Sequence, residues 1–196
     1  HNKLMIIVGL TGGIASGKSF VSSHLEKKNI PVHKSDSFIT NLYKSKNKEF
    51  IKFLLNNGFE KSVFKKKINK NTIRQEIFYN EKKKKLIEKY LHPKVKKDRE
   101  SFLKKNIKKR IVFLDIPLLF EKKLTKNYNI ICTTIAPLGI RERRALQRKG
   151  KNKKIFRQII KNQTKDNERK KKSNYLIDTS KTKKKTCLQV DSIIYD

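Results

Sequence analysis

The feature that most constrains this chain is an apolar segment followed at once by a glycine-rich loop, near the start of the sequence. The segment begins at Met5 with a run of β-branched and apolar residues, which predicts a buried strand. Residues 12–19 then fit the pattern G-x-x-x-x-G-K-[ST]. After the loop, helical spacing follows at Phe20, Val21, His24 and Leu25. A strand, a glycine loop and a helix in this order predict a phosphate-binding loop, and a chance match in a turn is the alternative.

The residue types in the loop suit the binding of a phosphate chain. Glycines let the backbone turn tightly and direct several N–H groups inward, and the N-terminus of the helix adds positive potential. Lys18 can reach the β- and γ-phosphates, and the Ser19 hydroxyl can ligate Mg²⁺. The predicted nucleotide-binding residues are Gly12, Gly13, Ile14, Ala15, Ser16, Gly17, Lys18, Ser19 and Phe20. The loop does not identify a substrate, because NTPases, kinases and motor proteins share it.

The chain is strongly basic. Its 196 residues contain 51 Lys and Arg against 17 Asp and Glu, a net charge of +34. Such a charge favours polyanionic partners, and nucleic acid is one candidate. The lysines are scattered over almost every polar segment rather than gathered in one stripe, which favours a solvated surface instead. We therefore predict no specific nucleic-acid partner, although an anionic nucleotide would still be attracted by the charge.

Cysteine usage and hydropathy suggest where the chain works. Cys132 and Cys187 are far apart and belong to no metal-ligand pattern, which is typical of a reducing compartment. Cys132 lies in an apolar run and is expected in the core. No apolar run is long enough to span a membrane, and no secretory signal is visible. We expect a cytoplasmic protein, monomeric or weakly homo-oligomeric, with no membrane partner.

Strand and helix patterns alternate along most of the chain. Short apolar runs at residues 30–32, 111–115, 130–135 and 175–177 predict further strands. Residues 37–107 show helical spacing with no convincing strand, and His92-Pro93 is expected to interrupt one helix. A helix from Pro137 carries a basic run, and Gly150–Lys154 is polar and expected to be flexible. The predicted fold is a three-layer α/β/α phosphate-loop domain with a five-stranded, mostly parallel sheet and a helical insertion.

Further motifs narrow the choice. Residues 9–19 read G-L-T-G-G-I-A-S-G-K-S, and Leu91-His92-Pro93, Pro117-Leu118-Leu119-Phe120-Glu121 and the pair Arg144 and Arg148 follow in order. Gln163 and residues 174–179 complete the series. Together these motifs resemble the dephospho-CoA kinase family over nearly the whole chain. One departure is Lys34-Ser35-Asp36, where that family has D-A-D, so the second acid is kept and the first is lysine.

The resemblance implies ATP and dephospho-CoA as substrates, with Mg²⁺ accompanying ATP. It implies a core of about residues 5–36, 108–140 and 173–196, an acceptor-binding insertion of about 37–107 and a lid of about 141–172. The catalytic residues would be Lys18, Asp36, Arg144 and Arg148. Acceptor-binding residues would be Asp36, His92, Pro117, Leu118, Leu119 and Glu121. Independently of the resemblance, Asp115 ends an apolar strand, as a Walker B acid does, so Mg²⁺ would be held by Ser19 and, through water, by Asp115.

Each of these roles has a plainer alternative. Asp36 can serve as a general base or as a helix N-cap. His92 can contact the substrate or be a loop residue with one backbone hydrogen bond. Residues 117–121 can shape an acceptor pocket or form a strand-to-helix loop with core leucines.

Arg144 and Arg148 are one helical turn apart, so both can face a triphosphate or belong to a solvated basic face. We expect them to lie away from Lys18 without nucleotide and to approach it when ATP binds.

Three functions remain open at this level. The first is dephospho-CoA kinase, and the second is another small-molecule or nucleotide kinase of the same fold. The third is a nucleic-acid-binding protein that uses its nucleotide site as a switch. A GTPase is disfavoured because no Asn-Lys-x-Asp segment is present, and RNA motifs with interleaved aromatic residues are absent.

Overall fold

The computed structural model describes residues 4–148 and 152–195, and it divides into two compact units. The first unit comprises the segment up to His33 and the segment from Asn106 onward, and the second is Lys34–Lys105. Gly150 and Lys151, part of the polar segment expected to be flexible, lie outside the described residues. None of the described helices is both long enough and apolar enough to cross a bilayer.

A five-stranded sheet forms the centre of the first unit. Its strands are β1 (Ile6–Gly12), β2 (Val32–Lys34), β5 (Ile111–Asp115), β6 (Ile130–Ile135) and β7 (Tyr175–Asp178), in the order β2-β5-β1-β6-β7. Strand β1 pairs in parallel with β5 on one side and β6 on the other, and β6 pairs in parallel with β7. The predicted α/β fold with five strands is confirmed.

The apolar runs form strands because the sheet is covered on its faces by helices. Val8, Leu10, Phe113 and Cys132 are at most 1% exposed. They pack with apolar side chains of α1 (Lys18–Lys27) and α9 (Lys183–Tyr195). Burial of this kind is the main stabilising contribution of an α/β core. Cys132 is a core thiol, as expected.

A second cluster in the first unit joins the phosphate loop to the segment that follows β6. That segment contains α6 (Leu138–Leu146), α7 (Lys153–Asn162) and α8 (Asp166–Lys171). Ala145 and Phe156 pack against Ala15, with Ile14 and Ile160 at the margin of the cluster. Residues of the expected lid therefore pack directly on the loop. Helix α8 was not predicted, because its six polar residues carry no apolar periodicity.

The second unit is mostly helical and has its own core. Its helices are α2 (Ser35–Lys44), α3 (Lys48–Asn56), α4 (Lys70–Tyr79) and α5 (Glu81–Lys105). The core contains Tyr43, Phe50, Leu54, Phe59, Ile73, Ile87 and Leu91. The rings of Phe53 and Tyr90 stack with centroids 4.1 Å apart at its edge.

Two predictions for the second unit are wrong. It contains a short antiparallel hairpin of β3 (Val63–Phe64) and β4 (Lys67–Ile68), joined by Lys65 and Lys66, whose φ angles are 47° and 60°. Left-handed residues at both turn positions are typical of Asn-Gly turns, so two lysines gave no signal.

The second error concerns the interruption at Pro93. Helix α5 runs through Pro93 as one element of 25 residues. A proline inside a helix costs about 3 kcal/mol because it removes one hydrogen bond and crowds the preceding turn. Packing of Ile87 and Leu91 into the core opposes that loss. The helix therefore continues where proline by itself predicts a break.

Candidate active site

The phosphate loop has the backbone conformation that an anion site requires. Ala15 and Gly17 adopt left-handed φ angles of 57° and 93°, and the Ser16 N–H donates to the Gly13 carbonyl at 3.1 Å. Within residues 4–148 and 152–195, the N–H groups of Ala15, Gly17, Lys18 and Ser19 donate to no protein acceptor. Because α1 begins at Lys18, these donors stand at the positive end of a helix. The loop can accordingly hold phosphate oxygens.

Lys18 is paired with an acid at the end of a neighbouring strand. Its ammonium forms an ion pair with Asp115 Oδ1, and the Ser22 hydroxyl donates to Asp115 Oδ2 at 3.3 Å. Asp115 is 8% exposed and ends β5, whose register places it beside Leu10. Both carboxylate oxygens thus have protein partners. Asp115 holds the lysine in this structure, and its role in holding Mg²⁺ through water stays a prediction.

Thr179 connects the loop to an arginine of α6. Its hydroxyl donates to the Ser16 carbonyl at 2.6 Å and accepts from Arg144 Nη1 at 3.0 Å. A Cβ at Gly17 would lie 2.7 Å from Thr179 Oγ1, so glycine is required there both for space and for its φ angle. Arg144 is therefore connected to the loop through a single residue, Thr179. We expected Arg144 to lie away from Lys18 when no nucleotide is bound.

An ionic network that contains two buried arginines lies against the loop at Gly13. Arg141 and Arg169, each 2% exposed, bind the two oxygens of Asp166 at 2.8 and 2.9 Å. Arg169 also binds Glu121 Oε1 at 3.1 Å. In the sequence Arg141 is one residue of the basic run after Pro137, and Arg169 was not predicted to belong to the site. The signal that could have found them is the paired acids, Asp166 and Glu121, in a chain with few acids.

Glu121 is part of this network rather than an open acceptor site. Its Oε1 accepts from the Thr164 N–H at 2.8 Å as well as from Arg169. Burial raises the pKa of the Glu121 carboxyl, but the Thr164 N–H and the Arg169 charge outweigh burial and hold the pKa below its usual value. Glu121 is therefore ionised and occupied at neutral pH, which contradicts a direct acceptor-binding role for that oxygen.

Leu118 and Leu119, which precede Glu121, differ in how far they are buried. Leu119 is fully buried and lies where a Cβ on Gly9 would stand, so it is a core residue and not a pocket residue. Leu118 is 37% exposed, and Pro117 is partly exposed at the end of β5. Of the three, Pro117 and Leu118 remain available to a ligand.

The second unit holds Asp36 in a cationic surrounding. Asp36 is exposed in the first turn of α2, where Lys34 is the N-cap residue and no side chain caps the helix. The N-cap role considered for Asp36 is therefore wrong. Burial and the charge of Arg74 lower the pKa of Lys70, and the charge of Asp36 opposes that shift. Asp36 is therefore close enough to Lys70 for their charges to interact.

His92 and Arg148 do not occupy the local settings that their motifs suggested. His92 is exposed and lies inside α5, so it is not a loop residue. Helix α6 ends at Leu146, which leaves Arg148 beyond the helix and exposed. Arg144 and Arg148 therefore do not share a helical face, because the helix ends between them.

Ser19 fits a magnesium ion better than any other residue of the loop. Its side chain is exposed, and its hydroxyl has no partner in the described part of the chain. Among the described residues there is no group of three His, Cys, Asp or Glu side chains that could hold a metal. Mg²⁺ commonly takes one or two protein oxygens and completes its shell with phosphates and water, so a lone hydroxyl suffices.

Comparisons with known proteins agree with the fold and the loop. The family model of dephospho-CoA kinase matches residues 6–185. A dephospho-CoA kinase of Bartonella quintana is 35% identical over 192 residues, 97% of each chain. One of Fusobacterium nucleatum is 32% identical over 178 residues, 90% of each chain.

Solved structures show the same fold. The dephospho-CoA kinase of Campylobacter jejuni matches with a TM-score of 0.71 and 21% identity, over 98% of this chain and 96% of its own. The shikimate kinase of Bacteroides thetaiotaomicron matches with a TM-score of 0.53 and 11% identity, over 97% and 99%. The match of the family model over most of the chain, with relatives of nearly equal length, shows that this chain belongs to the dephospho-CoA kinase family.

Proposed function

We propose that this protein transfers the γ-phosphoryl group of ATP to the ribose 3′-hydroxyl of dephospho-CoA, which gives CoA and ADP. The proposal rests on Lys18 and on the N–H groups of Ala15, Gly17, Lys18 and Ser19, which have no protein acceptor among the described residues, in a chain matched by the dephospho-CoA kinase family over residues 6–185. The N–H groups and the lysine of the loop suit a triphosphate, so the loop accounts for ATP as the phosphoryl donor. The family explains the acceptor.

The residues of the loop would divide the work on the donor. Lys18 would leave Asp115 and contact the β- and γ-phosphates, since only a long cation reaches both groups. The Ser19 hydroxyl would ligate Mg²⁺, which when bound neutralises phosphate charge. The N–H groups of Ala15 and Gly17 would bind phosphate oxygens.

Asp36 would accept or orient the proton of the acceptor hydroxyl. An exposed carboxylate without a capping bond is free to take this role. Lys70 in the same unit supplies positive charge near Asp36, which suits an acceptor that carries phosphates. His92, Pro117 and Leu118 would complete the acceptor site.

Arg144 and Arg148 would neutralise charge that develops on the transferred group. Arg144 reaches the loop through Thr179, which supports a position close to the donor. Replacement of both arginines by Ala should lower kcat more than it weakens dephospho-CoA binding. Steady-state kinetics with both substrates varied would measure the two effects, and a rise in the dephospho-CoA KM with unchanged kcat would assign the arginines to the acceptor.

The central test replaces the proposed base. Asp36→Asn should bind both substrates with little change and turn over about 10²-fold more slowly or worse. Glu81→Gln is the matched control, because Glu81 is also an exposed acid in the first turn of a helix of the same unit. Wild-type turnover of Asp36→Asn, or loss of dephospho-CoA binding, would remove the base assignment.

Substrate choice needs its own measurement. ADP release is measured with dephospho-CoA, AMP, shikimate or a short RNA as acceptor, and mass spectrometry identifies the product. The comparison distinguishes the three functions that the sequence left open. We expect transfer to dephospho-CoA alone. Transfer to AMP or shikimate would indicate a different small-molecule or nucleotide kinase. RNA-dependent ATP hydrolysis would indicate a nucleic-acid-binding protein that uses its nucleotide site as a switch.

We also infer a cytoplasmic location and a monomer or weak homo-oligomer, with no specific nucleic-acid partner. Both cysteines are free, which supports a reducing compartment. Each unit has a core built from its own residues, which supports a chain that folds without a partner. Light scattering at several protein concentrations tests the assembly.

A further inference from the structure

We propose that Arg141 is a positioning residue for the phosphate loop. Its guanidinium, held in the ionic network with Arg169, Asp166 and Glu121, orients the peptide group between Ile14 and Ala15 so that the loop presents the Ala15 N–H to the nucleotide. The proposal rests on the kinase function above and adds to it a residue that acts through the loop.

Arg141 packs closely against the phosphate loop. Arg141 Nε donates to the Ile14 carbonyl at 2.9 Å, and Nη1 binds Asp166 at 2.8 Å. A Cβ on Gly13 would overlap the Arg141 guanidinium and lie 2.8 Å from Arg169 Nη1. The φ angle of Gly13 is not in the left-handed region, so this position needs glycine for space. The loop and the guanidinium are therefore packed against each other.

Hydrogen bonds to Ile14 fix the orientation of two peptide groups of the loop. Ile14 is held at both ends, because its N–H donates to Gln163 Oε1 at 3.0 Å and its carbonyl accepts from Arg141. In a trans peptide the carbonyl and the next N–H point in opposite directions. The Ile14 carbonyl faces Arg141, so the Ala15 N–H faces away from it. The Gly13 carbonyl faces away from Gln163 and accepts from the Ser16 N–H.

The balance of charges in the network keeps Arg141 in place. Two arginines and two acids form the network, and both arginines are almost fully buried. The two negative charges of the acids reduce the free-energy cost of burying the two arginines. Arg141 Nη2 is buried and has no partner in the described residues, which is unfavourable for a charged donor. A network with only a structural role would be more stable if Nη2 also formed a hydrogen bond. Arg141 lacks that bond because its guanidinium is packed against Gly13 of the loop.

The test separates nucleotide binding from stability. Arg141→Gln should raise the ATP KM and the ADP Kd about 10-fold, as the loss of one charge-assisted hydrogen bond would, and leave the dephospho-CoA KM within about 2-fold. Measurements are made well below the melting temperature of each variant. Arg141→Lys should fall between Gln and wild type, because it keeps the charge without the fork. Arg143→Gln, on the same helix but exposed, is the matched control and should bind ADP as wild type does.

A second variant guards against misfolding. Gln163→Ala removes the partner of the Ile14 N–H without touching the buried charges, and it should also weaken ADP binding with little change in the dephospho-CoA KM. Lower melting temperatures with unchanged ADP affinity in both variants would make the network structural only and overturn the proposal. A rise confined to the dephospho-CoA KM would overturn it too. ADP binding is measured without acceptor, so a wild type that binds ADP but does not phosphorylate dephospho-CoA would refute only the proposed function.

Discussion

The hydroxyl of Thr179 offers a sharp test of how the loop is held. Thr179 is 5% exposed, directly after β7, and its hydroxyl joins the Ser16 carbonyl to Arg144. Thr179→Val keeps the shape of the side chain and removes only the hydroxyl. Thr179→Ser keeps the hydroxyl and removes the methyl group that packs against Gly17. The pair therefore separates hydrogen bonding from packing at one position.

The contacts set the expected magnitude. Valine loses a bond of 2.6 Å and leaves the Ser16 carbonyl unpaired, which together cost about 2–3 kcal/mol. Arg144 keeps its second bond, from Nη2 to the Thr179 carbonyl at 2.5 Å, so it adds little. Serine loses one buried methyl group, worth about 1 kcal/mol. For a protein of this size the valine change corresponds to a fall in Tm of about 4–12 °C.

Thermal unfolding with and without ADP measures both consequences. Valine should lower Tm more than serine does, and it should also reduce the upward shift of Tm that ADP produces, because the loop loses an anchor at Ser16. Equal losses for valine and serine would assign the effect to packing. Wild-type stability of Thr179→Val would refute the view that this hydroxyl holds the loop.

The other expectations can be checked on the same preparations. Lys18→Ala should keep its circular dichroism spectrum and lose phosphoryl transfer, and near wild-type turnover would contradict the loop assignment. Glu121→Gln should be less stable at pH 7; since the folded pKa of Glu121 lies below its usual 4.5, the difference in unfolding free energy from wild type should shrink as pH falls through that folded pKa. Burial raises the pKa of Cys132 to about 12, so a thiol reagent should modify Cys187 in the folded protein and both cysteines only after unfolding.

Local patterns in the sequence were enough for the sheet and the loop. The run from Met5 predicts β1 because apolar, β-branched residues form buried strands, and the structure has β1 at Ile6–Gly12. The loop follows from glycine and lysine spacing, since each of those residue types has a short-range role. Asn69 is the N-cap residue of α4, and its side chain accepts from the N–H groups of Asn71 and Thr72, a role for which asparagine is locally favoured.

Contacts between distant residues were beyond the sequence. Arg141 and Arg169 belong to a lysine- and arginine-rich region, and nothing local distinguishes them from the exposed Arg143. Their burial depends on Asp166 and Glu121, the second of which lies 48 residues from Arg169. Leu119 and Leu118 are neighbours of one type, yet only the fold decides which enters the core. Hydrophobicity predicts that a residue prefers burial, but not where the chain provides it.

The sequence by itself determined the fold class, the phosphate loop and the family, because these depend on residue types at short, regular spacing. The tertiary structure alone decided that Asp115 holds Lys18, that Thr179 bridges Ser16 and Arg144, and that α5 continues through Pro93. In each case the partners or the opposing packing come from another element. The free energy of such a contact depends on burial and distance, which exist only after the chain has folded.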